Sequence, residues 1–485
     1  MNKLQQIINN KWFLVLFFSV AISISIFQHY RVFSLDIIGY HSWRQTQTQT
    51  VIDNFANEDF RILNPRVNDL HYEDRIIRME FPLAQWIIAA LNKLFGNHLL
   101  ITRLFFFITT LFSCLGIYRL IIALTRHKLS AALTAWFFLF SPVIYFYSVN
   151  PLPDNLALCF GIWMLVFWIR FIKENRSSLF IISCVFFALS LAVKLPFILF
   201  GAVYLSRFYD NARRNKLEFK YLLLPFCISL LPLIWYACVI GTWQNNGVVQ
   251  GIILNTFSLA KLWDIFFFNT VSTLPELLIN YATFPLFVVG IYYTYRQLNL
   301  KDTIHRSFFY AGCLCIAYFL YELNMIDKVH DYYLFPFMPF IFIIIAKAID
   351  VILSTSSKWK YLILVSLLVS PVTAYLRCNS RWNTYTPGFS REYLFYKKQL
   401  QSLIPDTAKV IVYGDDSRSI VLYHLNRKGW SYGEHDLNKE TVDDTRKAGA
   451  KYLVSDCEID ISKFVTDGPV ELLFTQGNVK LYKLK

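Results

Sequence analysis

The sequence predicts an all-α bundle of about eleven transmembrane helices followed by a small soluble α/β domain. Two observations predict the bundle. Hydrophobic residues make up 55% of the 485 residues and charged residues only 16%, which is too apolar for a soluble globular protein of this size. Runs of about 18 or more apolar residues recur, each long enough to cross a bilayer core of roughly 30 Å as a helix. A third observation, the loss of this pattern after residue 380, predicts the soluble domain.

Eleven apolar stretches are predicted to span the membrane. They lie near residues 11–28, 102–124, 130–148, 154–171, 178–194, 196–208, 221–241, 276–295, 307–323, 332–350 and 360–377. No cleavage site of small residues follows the first stretch, so we expect a retained signal-anchor rather than a signal peptide. These stretches define a predicted membrane domain, residues 1–380.

Lys and Arg residues cluster in alternate short loops between the apolar stretches, for example at 126–128, 170–176 and 207–220. Because cytoplasmic loops are enriched in Lys and Arg, this pattern predicts a cytoplasmic N-terminus in a multi-pass inner or plasma membrane protein. The long loop 29–101 and the tail 381–485 are then extracytoplasmic. The same pattern accounts for the net charge of +14 without a nucleic-acid partner.

Both extracytoplasmic regions are predicted to be structured. In the long loop, "FPLAQWIIAALNKLF" (81–95) predicts an amphipathic helix at the membrane interface. In the tail, "AKVIVYG" and "AKYLVSD" predict short buried strands, and "SIVLYHLNRKG" and "ETVDDTRKAGA" predict helices. The segment "VELLFTQGNVKLYKL" predicts a hairpin around Gly477 and Asn478. The tail is therefore expected to be a small soluble α/β domain.

The candidate functional residues are polar groups predicted to lie at the outer side of the membrane. Ionisable groups at bilayer depth are costly, so each is a functional candidate. They are Asp36, His41, Arg44, Gln45, Gln47 and Glu80 in the first outer loop, Asp154 in "NPLPDN", Lys194 in "ALAVKLPF", and His330 and Asp331 in "KVHDYYLFPFMPF".

Structural roles are open for several of these residues. Asp154 could cap the helix that follows Pro153. Lys194 could extend its ammonium group to the outer interface. Arg44 could pair with Asp36 or with Glu80 as a loop staple. His41 and His330, taken singly, are more often structural than catalytic.

Five regions share an order and spacing with a known group of enzymes. They are "HSWRQTQTQTVIDNF", "MEFPLAQWIIAALNKLFG" followed by "ITRLFFFITTLFSCLGIYRLI", "NPLPDN", "ALAVKLPFIL" and "YYLFPFMPF". The chain resembles the multi-spanning GT-C glycosyltransferases that take a sugar from a polyprenyl-phosphate carrier. This group includes the protein O-mannosyltransferases of glycosyltransferase family 39 and the lipid A aminoarabinose transferases. The resemblance covers roughly residues 11 to 380 and implies a GT-C type of bundle.

The resemblance assigns roles residue by residue. Glu80 matches the family's Glu before Pro in the outer-loop helix, and Asp154 matches the Asp that follows a proline after the third span. Lys194 matches the basic residue near the outer end of the fifth span. Tyr333 falls in the Tyr-Leu-x-Pro-like start of a late span. The chain departs from the pattern at 43–47, where many members carry an Asp and this chain has no carboxylate.

The implied reaction joins an acceptor hydroxyl or amine to the anomeric carbon of the lipid-carried sugar. A hydroxyl acceptor needs a base, and Asp154 is the first choice, with Asp36 and His41 as alternatives. Nothing marks a covalent nucleophile, so a single inverting displacement is expected. The leaving phosphate needs cations where its charge grows, which suits Arg44 and Lys194.

The remaining candidates are assigned to the substrates. Glu80 is expected to orient the acceptor or a cationic neighbour. The expected substrate-binding residues are Gln45, Gln47, His330 and Tyr333.

The expected partners are a polyprenyl-phosphate-linked sugar, a glycan, lipid or protein acceptor, and the lipid bilayer. The sequence has no Gly-rich phosphate loop and no metal-ligand spacing, so neither a cofactor nor a metal is expected. Two alternatives to an enzyme are a transporter or flippase for lipid-linked glycans and a non-catalytic assembly subunit whose tail binds a partner. Transporters often show paired halves with broken helices at matching positions, and this chain shows no such symmetry.

Overall fold

A computed structural model describes residues 11–243, 251–253, 257–355, 358–458, 461–465 and 469–484. Helices dominate the chain up to about residue 380. The first group comprises α1 (Lys11–His29), α2 (Ser42–Asn57), α3 (Leu83–Phe95), α4 (Leu99–Thr125), α5 (Lys128–Leu139), α6 (Pro142–Tyr147), α7 (Asp154–Glu174) and α8 (Ser177–Val193). The second group comprises α9 (Ala202–Ala212), α10 (Lys220–Ile228), α11 (Leu230–Ile240), α12 (Leu259–Phe268), α13 (Phe284–Gln297), α14 (Thr303–Tyr321), α15 (Leu323–Ile326), α16 (Met338–Ser354) and α17 (Lys360–Asn379).

Within the described residues, six helical stretches are long and apolar enough to cross a bilayer, or seven if the bent pair α10 and α11 counts as one span. The six stretches are Trp12–His29, Leu99–Thr125, Asp154–Glu174, Leu259–Ile279, Asp331–Ser354 and Lys360–Trp382. The apolar helices α3, α5 and α8 are shorter. The chain is therefore a multi-helix membrane protein, and the count of about eleven spans stays a prediction.

Several predicted spans are interrupted. The predicted span 130–148 is divided into α5 and α6 just before Pro142, whose ring cannot continue a preceding helix. The predicted span 221–241 bends by 57° between α10 and α11. In the predicted span 276–295, the helix breaks at Asn280, whose side chain donates hydrogen bonds to the carbonyls of Phe140 and Ser370 at 2.9 and 3.0 Å. Those side-chain bonds fix the break against two neighbouring segments.

The tail forms a five-stranded sheet with short helices. Its strands are β1 (Lys409–Tyr413), β2 (Lys428–Tyr432), β3 (Ala450–Ser455), β4 (Val470–Gln476) and β5 (Val479–Leu484). Its helices are α18 (Glu392–Phe395), α19 (Lys397–Leu403), α20 (Ile420–Leu425) and α21 (Lys439–Lys447). The strand order is β2-β1-β3-β5-β4, with β2, β1 and β3 parallel and the β4-β5 hairpin antiparallel.

The sequence missed strand β2. The predicted helix "SIVLYHLNRKG" ends early at Leu425, because Asn426 adopts a left-handed conformation with φ of 51°. The strand that follows lies so close to β1 that a Cβ on Gly429 would lie 1.9 Å from the carbonyl oxygen of Val410. A glycine therefore permits this close parallel pairing.

The long outer loop packs against the tail. Leu70 donates a backbone hydrogen bond to Gly429 at 2.8 Å, and Gly429 donates one to Asn68 at 3.1 Å, so the loop extends the sheet beside β2. Lys428 forms an ion pair at 2.8 Å with Glu58, the residue that follows α2. The outer loop and the tail therefore lie on the same side of the helical bundle.

Candidate functional site

The first ion pair of the candidate site joins α2 to the segment before α3. Arg44 lies in the first turn of α2, and its Nη2 is 2.5 Å from Oε1 of Glu80. Both side chains are buried, and Gln85 of α3 donates to the same Glu80 oxygen at 3.1 Å. Arg44 also donates to Gln47. Of the two partners that the sequence left open for Arg44, the structure selects Glu80.

The second ion pair joins the helices α7 and α8. Nζ of Lys194, at the C-terminal end of α8, is 3.0 Å from Oδ1 of Asp154. Asp154 is the first residue of α7, and the capping position before it is Pro153, with no side-chain cap. Asp154 therefore does not serve as the N-cap, and its side chain is directed at Lys194. In the part of the chain that the structure describes, Oδ2 of Asp154 is buried and has no hydrogen-bond partner.

The two ion pairs are neighbours. Burial opposes ionisation of Glu80, but the positive charges of Arg44 and then Lys194 outweigh it and hold the Glu80 pKa below its usual range. The Lys194 ammonium lies 5.6 and 5.4 Å from the ring centres of Tyr332 and Tyr333. Four charges from segments far apart in the sequence thus meet beside two aromatic rings.

The two candidate histidines stack on each other beside this cluster. The rings of His41 and His330 are 5.5 Å apart at 16°, and Nε2 of His41 is 3.0 Å from the carbonyl oxygen of Val329. Burial lowers the pKa of His41 to about 4, against the opposing effect of Asp331. His41 is therefore uncharged at neutral pH. Nδ1 of His330 is 2.6 Å from the carbonyl oxygen of Met325.

Asp36 lies in a different set of contacts. Lys397 of α19 is 2.5 Å from its Oδ2, and the hydroxyl of Tyr423 donates to its Oδ1 at 3.0 Å. Burial opposes ionisation of Asp36, but the nearby His424 and Lys397 outweigh it and lower its pKa to about 2. Asp36 therefore binds residues of the tail. It does not belong to the cluster that contains Glu80 and Asp154.

The space beside the Arg44–Glu80 pair is small. The cavity that these two residues line with Gln47, Met79 and Gln85 has a volume of about 10 Å³. This is close to the minimum that one water molecule needs.

The sequence profile of the dolichyl-phosphate-mannose-protein mannosyltransferase family matches residues 80–236, about one third of the chain. A sequence comparison with curated proteins finds no significant match. The fold is similar to that of ArnT from Cupriavidus metallidurans bound to undecaprenyl phosphate, with a TM-score of 0.67, 14% identity and 97% of each chain covered. The chain has the GT-C fold.

Two further solved structures have a similar fold. The Archaeoglobus fulgidus oligosaccharyltransferase in complex with Zn and sulfate gives a TM-score of 0.61 at 13% identity, covering 91% of this chain and 67% of that one. The mycobacterial arabinofuranosyltransferase AftD gives 0.58 at 13% identity, covering 98% of this chain and 40% of that one. The resemblance noted in the sequence is confirmed. The part of this chain that matches the profile, residues 80–236, contains Glu80, Asp154 and Lys194.

The sequence analysis missed several residues that lie near this candidate site. Tyr332 follows the noted pair His330 and Asp331 and could have been found from its position. Arg381 lies 3.4 Å from Asp331 and had no signal beyond being a cation near the end of a span. Tyr236 of α11, near Glu80 and Asp154, sits in an apolar run and gave no sequence signal. Gln45, a predicted contact, is fully buried and donates to the carbonyl oxygen of Tyr40 at 2.7 Å.

Proposed function

We propose that this protein transfers a sugar from a polyprenyl-phosphate carrier to an acceptor hydroxyl or amine at the extracytoplasmic face of a cell membrane. One observation carries the proposal: the pairs Arg44–Glu80 and Lys194–Asp154 meet at one end of the helical bundle. Ionised groups at such depth are costly unless a function or a partner retains them. The GT-C fold and the matched mannosyltransferase profile support the same class of reaction.

The donor phosphate is assigned to Lys194 and Arg44. A phosphate that leaves during sugar transfer gains negative charge, and cations placed beside it stabilise the transition state. The structure of ArnT with undecaprenyl phosphate is that of a similar fold with a lipid phosphate bound. A prenyl chain would remain among the apolar helices while its phosphate reaches the rim of the bundle. Tyr333 and His330 would then lie beside the sugar.

The base is assigned to Asp154. Its Oδ1 is held by Lys194, while Oδ2 is buried without a partner among the described residues and is available to accept a proton. The acceptor oxygen attacks the anomeric carbon, the bond from that carbon to the phosphate oxygen breaks, and the acceptor proton passes to Asp154. Polyprenyl phosphate leaves as an anion. The anomeric centre inverts in this single displacement.

The other two candidate bases fit this role less well. Asp36 is already bonded to Lys397 and Tyr423 of the tail. His41 has one ring nitrogen engaged by the carbonyl of Val329 and stacks against His330. We assign His41 to positioning of the neighbouring aromatic rings, and Glu80 to holding Arg44 in place.

The test uses mass spectrometry to compare prenyl-phosphate sugars and surface glycans in cells that make this protein and in cells from which it has been removed. Removal of the chain should leave the sugar on its carrier and remove it from one class of surface glycan. Asp154→Asn and Glu80→Gln should each reproduce that loss while the protein remains in the membrane. Glu276→Gln is the matched control, because Glu276 also forms an ion pair, with Arg377, at a different place in the bundle.

Normal transfer by both Asp154→Asn and Glu80→Gln would overturn the proposed site. An accumulation of the whole lipid-linked glycan on the cytoplasmic leaflet, with its composition unchanged, would indicate transport instead of transfer.

A further inference from the structure

A cavity of about 930 Å³ lies between the start of the outer loop and the tail. Its bundle-side wall includes Tyr40, His41 and Trp43, and its tail-side wall includes Asp416 and Asp456. Small-molecule ligands occupy clefts or cavities of about 300–1,000 Å³. The cavity shares no lining residue with the Arg44–Glu80 pocket, and its volume is within the range of small-molecule sites.

The strand order places this cavity where α/β sheets bind ligands. Strand β1 lies between β2 and β3, so the chain leaves β1 toward one side for β2 and crosses to the other side for β3. The crevice outside the carboxyl ends of parallel strands at such a reversal is the usual binding position. Residues 414–417 follow β1 and Asp456 follows β3, and both segments line the cavity.

Two glycines shape the tail-side wall. Gly414 has φ of 99°, and a Cβ there would lie 2.4 Å from Oδ1 of Asp456. A Cβ on Gly433, just after β2, would lie 2.0 Å from Oδ1 of Asp416. Each carboxylate therefore occupies space that any larger residue would fill. The two glycines therefore leave room for the carboxylates of Asp416 and Asp456 at the ends of these strands.

The charged groups of the cavity wall that remain after Arg381 is paired with Asp331 are carboxylates. Arg381 also lines the cavity, but its guanidinium is 3.4 Å from Asp331 and lies 4.1 Å from the ring centre of Tyr40. Asp416 is exposed, and Asp456 accepts a hydrogen bond from Ser390 at 2.9 Å. Carboxylates accept hydrogen bonds from hydroxyl groups and repel phosphates. Aromatic rings opposite them provide flat apolar faces.

A continuous row of side chains connects the cavity to the catalytic cluster. His41 lines the cavity and stacks on His330, whose ring is 5.6 Å from that of Tyr333. The Lys194 ammonium lies over Tyr333 and pairs with Asp154. His41, His330 and Tyr333 therefore separate the cavity from Asp154, so a glycan acceptor would place in the cavity sugar residues other than the one that reacts.

We propose that this cavity is the acceptor subsite and that it binds neutral sugar residues of a glycan, with Asp416 and Asp456 accepting their hydroxyl hydrogens and Trp43 packing against a ring face. The inference rests on the proposed function, because it supplies the acceptor for that reaction. Of the three acceptor classes, glycan, lipid and protein, this proposal selects a glycan. The sugar residues that bind in the cavity would carry no phosphate.

The test is saturation-transfer-difference NMR with the full chain in lipid nanodiscs. The probes are chitotriose and maltotriose as neutral oligosaccharides and glucose 6-phosphate as the acidic comparison. The wild-type protein should transfer saturation to at least one neutral oligosaccharide and not to glucose 6-phosphate. Asp416→Asn should weaken that binding about tenfold, the effect of one charge-assisted hydrogen bond. Trp43→Ala should also weaken it, and Asp444→Asn, an exposed carboxylate on α21 outside the cavity, should not.

Equal binding by the wild type and Asp416→Asn would overturn the subsite, as would preference for glucose 6-phosphate or absence of binding to all three probes. Release of polyprenyl phosphate from the lipid-linked donor, measured on the same nanodiscs, separates this outcome from failure of the proposed function. If the wild type releases polyprenyl phosphate and Asp154→Asn does not, the proposed function stands whatever the oligosaccharides do. If neither releases it, the proposed function itself fails.

Discussion

Lys194 and Asp154 each make the other's charge tolerable in a buried place. Removal of one partner from a buried pair costs about 3–5 kcal/mol, because the remaining charge loses its compensation. Lys194→Met should therefore lower sugar transfer about 10²–10³-fold, the range seen when one preorganised electrostatic contact to a transition state is lost. Lys194→Arg should restore part of it. The measurement is release of polyprenyl phosphate from purified protein in nanodiscs.

Arg377→Met is the control for this variant, since it breaks an ion pair with Glu276 that is outside the cluster. It should retain transfer within a few fold. Equal losses in Lys194→Met and Arg377→Met would show that ion pairs of the bundle matter for its stability rather than for chemistry.

The buried carboxyl group of Asp53 in α2 should make the stability of the fold depend on pH. Burial raises its pKa to about 6, although Gln49 donates a hydrogen bond to it at 2.9 Å. Between pH of about 4, the ordinary pKa of an Asp carboxyl group, and pH of about 6, Asp53 is protonated in the folded protein and ionised in the unfolded chain. The free energy of unfolding therefore falls as the pH rises through that window. Asp53→Asn, which keeps an oxygen for Gln49, should stabilise the fold at pH 8 by at most about 3 kcal/mol and should have little effect at pH 4.

Thermal unfolding of the purified protein at pH 4, 6 and 8 measures this difference. Gln49→Ala serves as a comparison, because it removes the hydrogen bond and leaves the carboxyl group. A melting temperature of Asp53→Asn that exceeds the wild type equally at all three pH values would contradict the titration of Asp53.

At the scale of residues, the sequence predicted Arg44, Glu80, Asp154 and Lys194 because charges are rare in apolar surroundings. It could not choose among their partners, since Asp36 and Glu80 are equally plausible partners for Arg44 along the chain. Partner choice depends on how α2 lies against the segment before α3 and against the tail, which is a property of the folded molecule.

At the scale of elements, hydropathy predicted the long helices, short apolar runs predicted β1 and β3, and the turn at Gly477 and Asn478 predicted the β4-β5 hairpin. Helix breaks were less predictable, because the break at Asn280 is fixed by hydrogen bonds to distant carbonyls. Strand β2, "KGWSY", is short and contains a glycine, so its local pattern is weak. Its pairing with β1 and with the outer loop supplies the stability that its own sequence lacks.

This pairing makes Gly429 sensitive to substitution. A Cβ at Gly429 would lie 1.9 Å from the carbonyl oxygen of Val410, which is backbone and cannot rotate away. Gly429→Ala should therefore destabilise the tail by more than about 2 kcal/mol, within the range of severe backbone clashes. Limited proteolysis should cut the tail of this variant faster and leave the bundle in the membrane.

Lys451→Ala, an exposed position on β3, is the control and should leave the proteolysis rate close to that of the wild type. Faster cleavage in both variants would mean that the sheet is sensitive at every position, and unchanged cleavage in Gly429→Ala would show that β1 and β2 can separate without cost.

At the scale of the whole molecule, the contacts between the outer loop and the tail require that both regions lie on the same side of the membrane. Gly429 bonds to the loop on both of its backbone groups, and Lys428 pairs with Glu58. Such contacts form only if both regions lie on the same side of the membrane. The placement of Lys and Arg in the other loops predicts that this common side is extracytoplasmic.

Cysteine labelling of intact cells tests that placement. We expect Glu73→Cys in the outer loop and Asp436→Cys in the tail, both exposed, to react with a membrane-impermeant maleimide without permeabilisation, in a background carrying Cys457→Ser. Lys216→Cys, exposed between α9 and α10, should react only after permeabilisation. Reaction of Glu73→Cys and Asp436→Cys from opposite sides would contradict the packing of loop on tail. Reaction of both only after permeabilisation would keep that packing but place the ion-pair cluster at the cytoplasmic face, where a donor presented on the outer leaflet could not reach it.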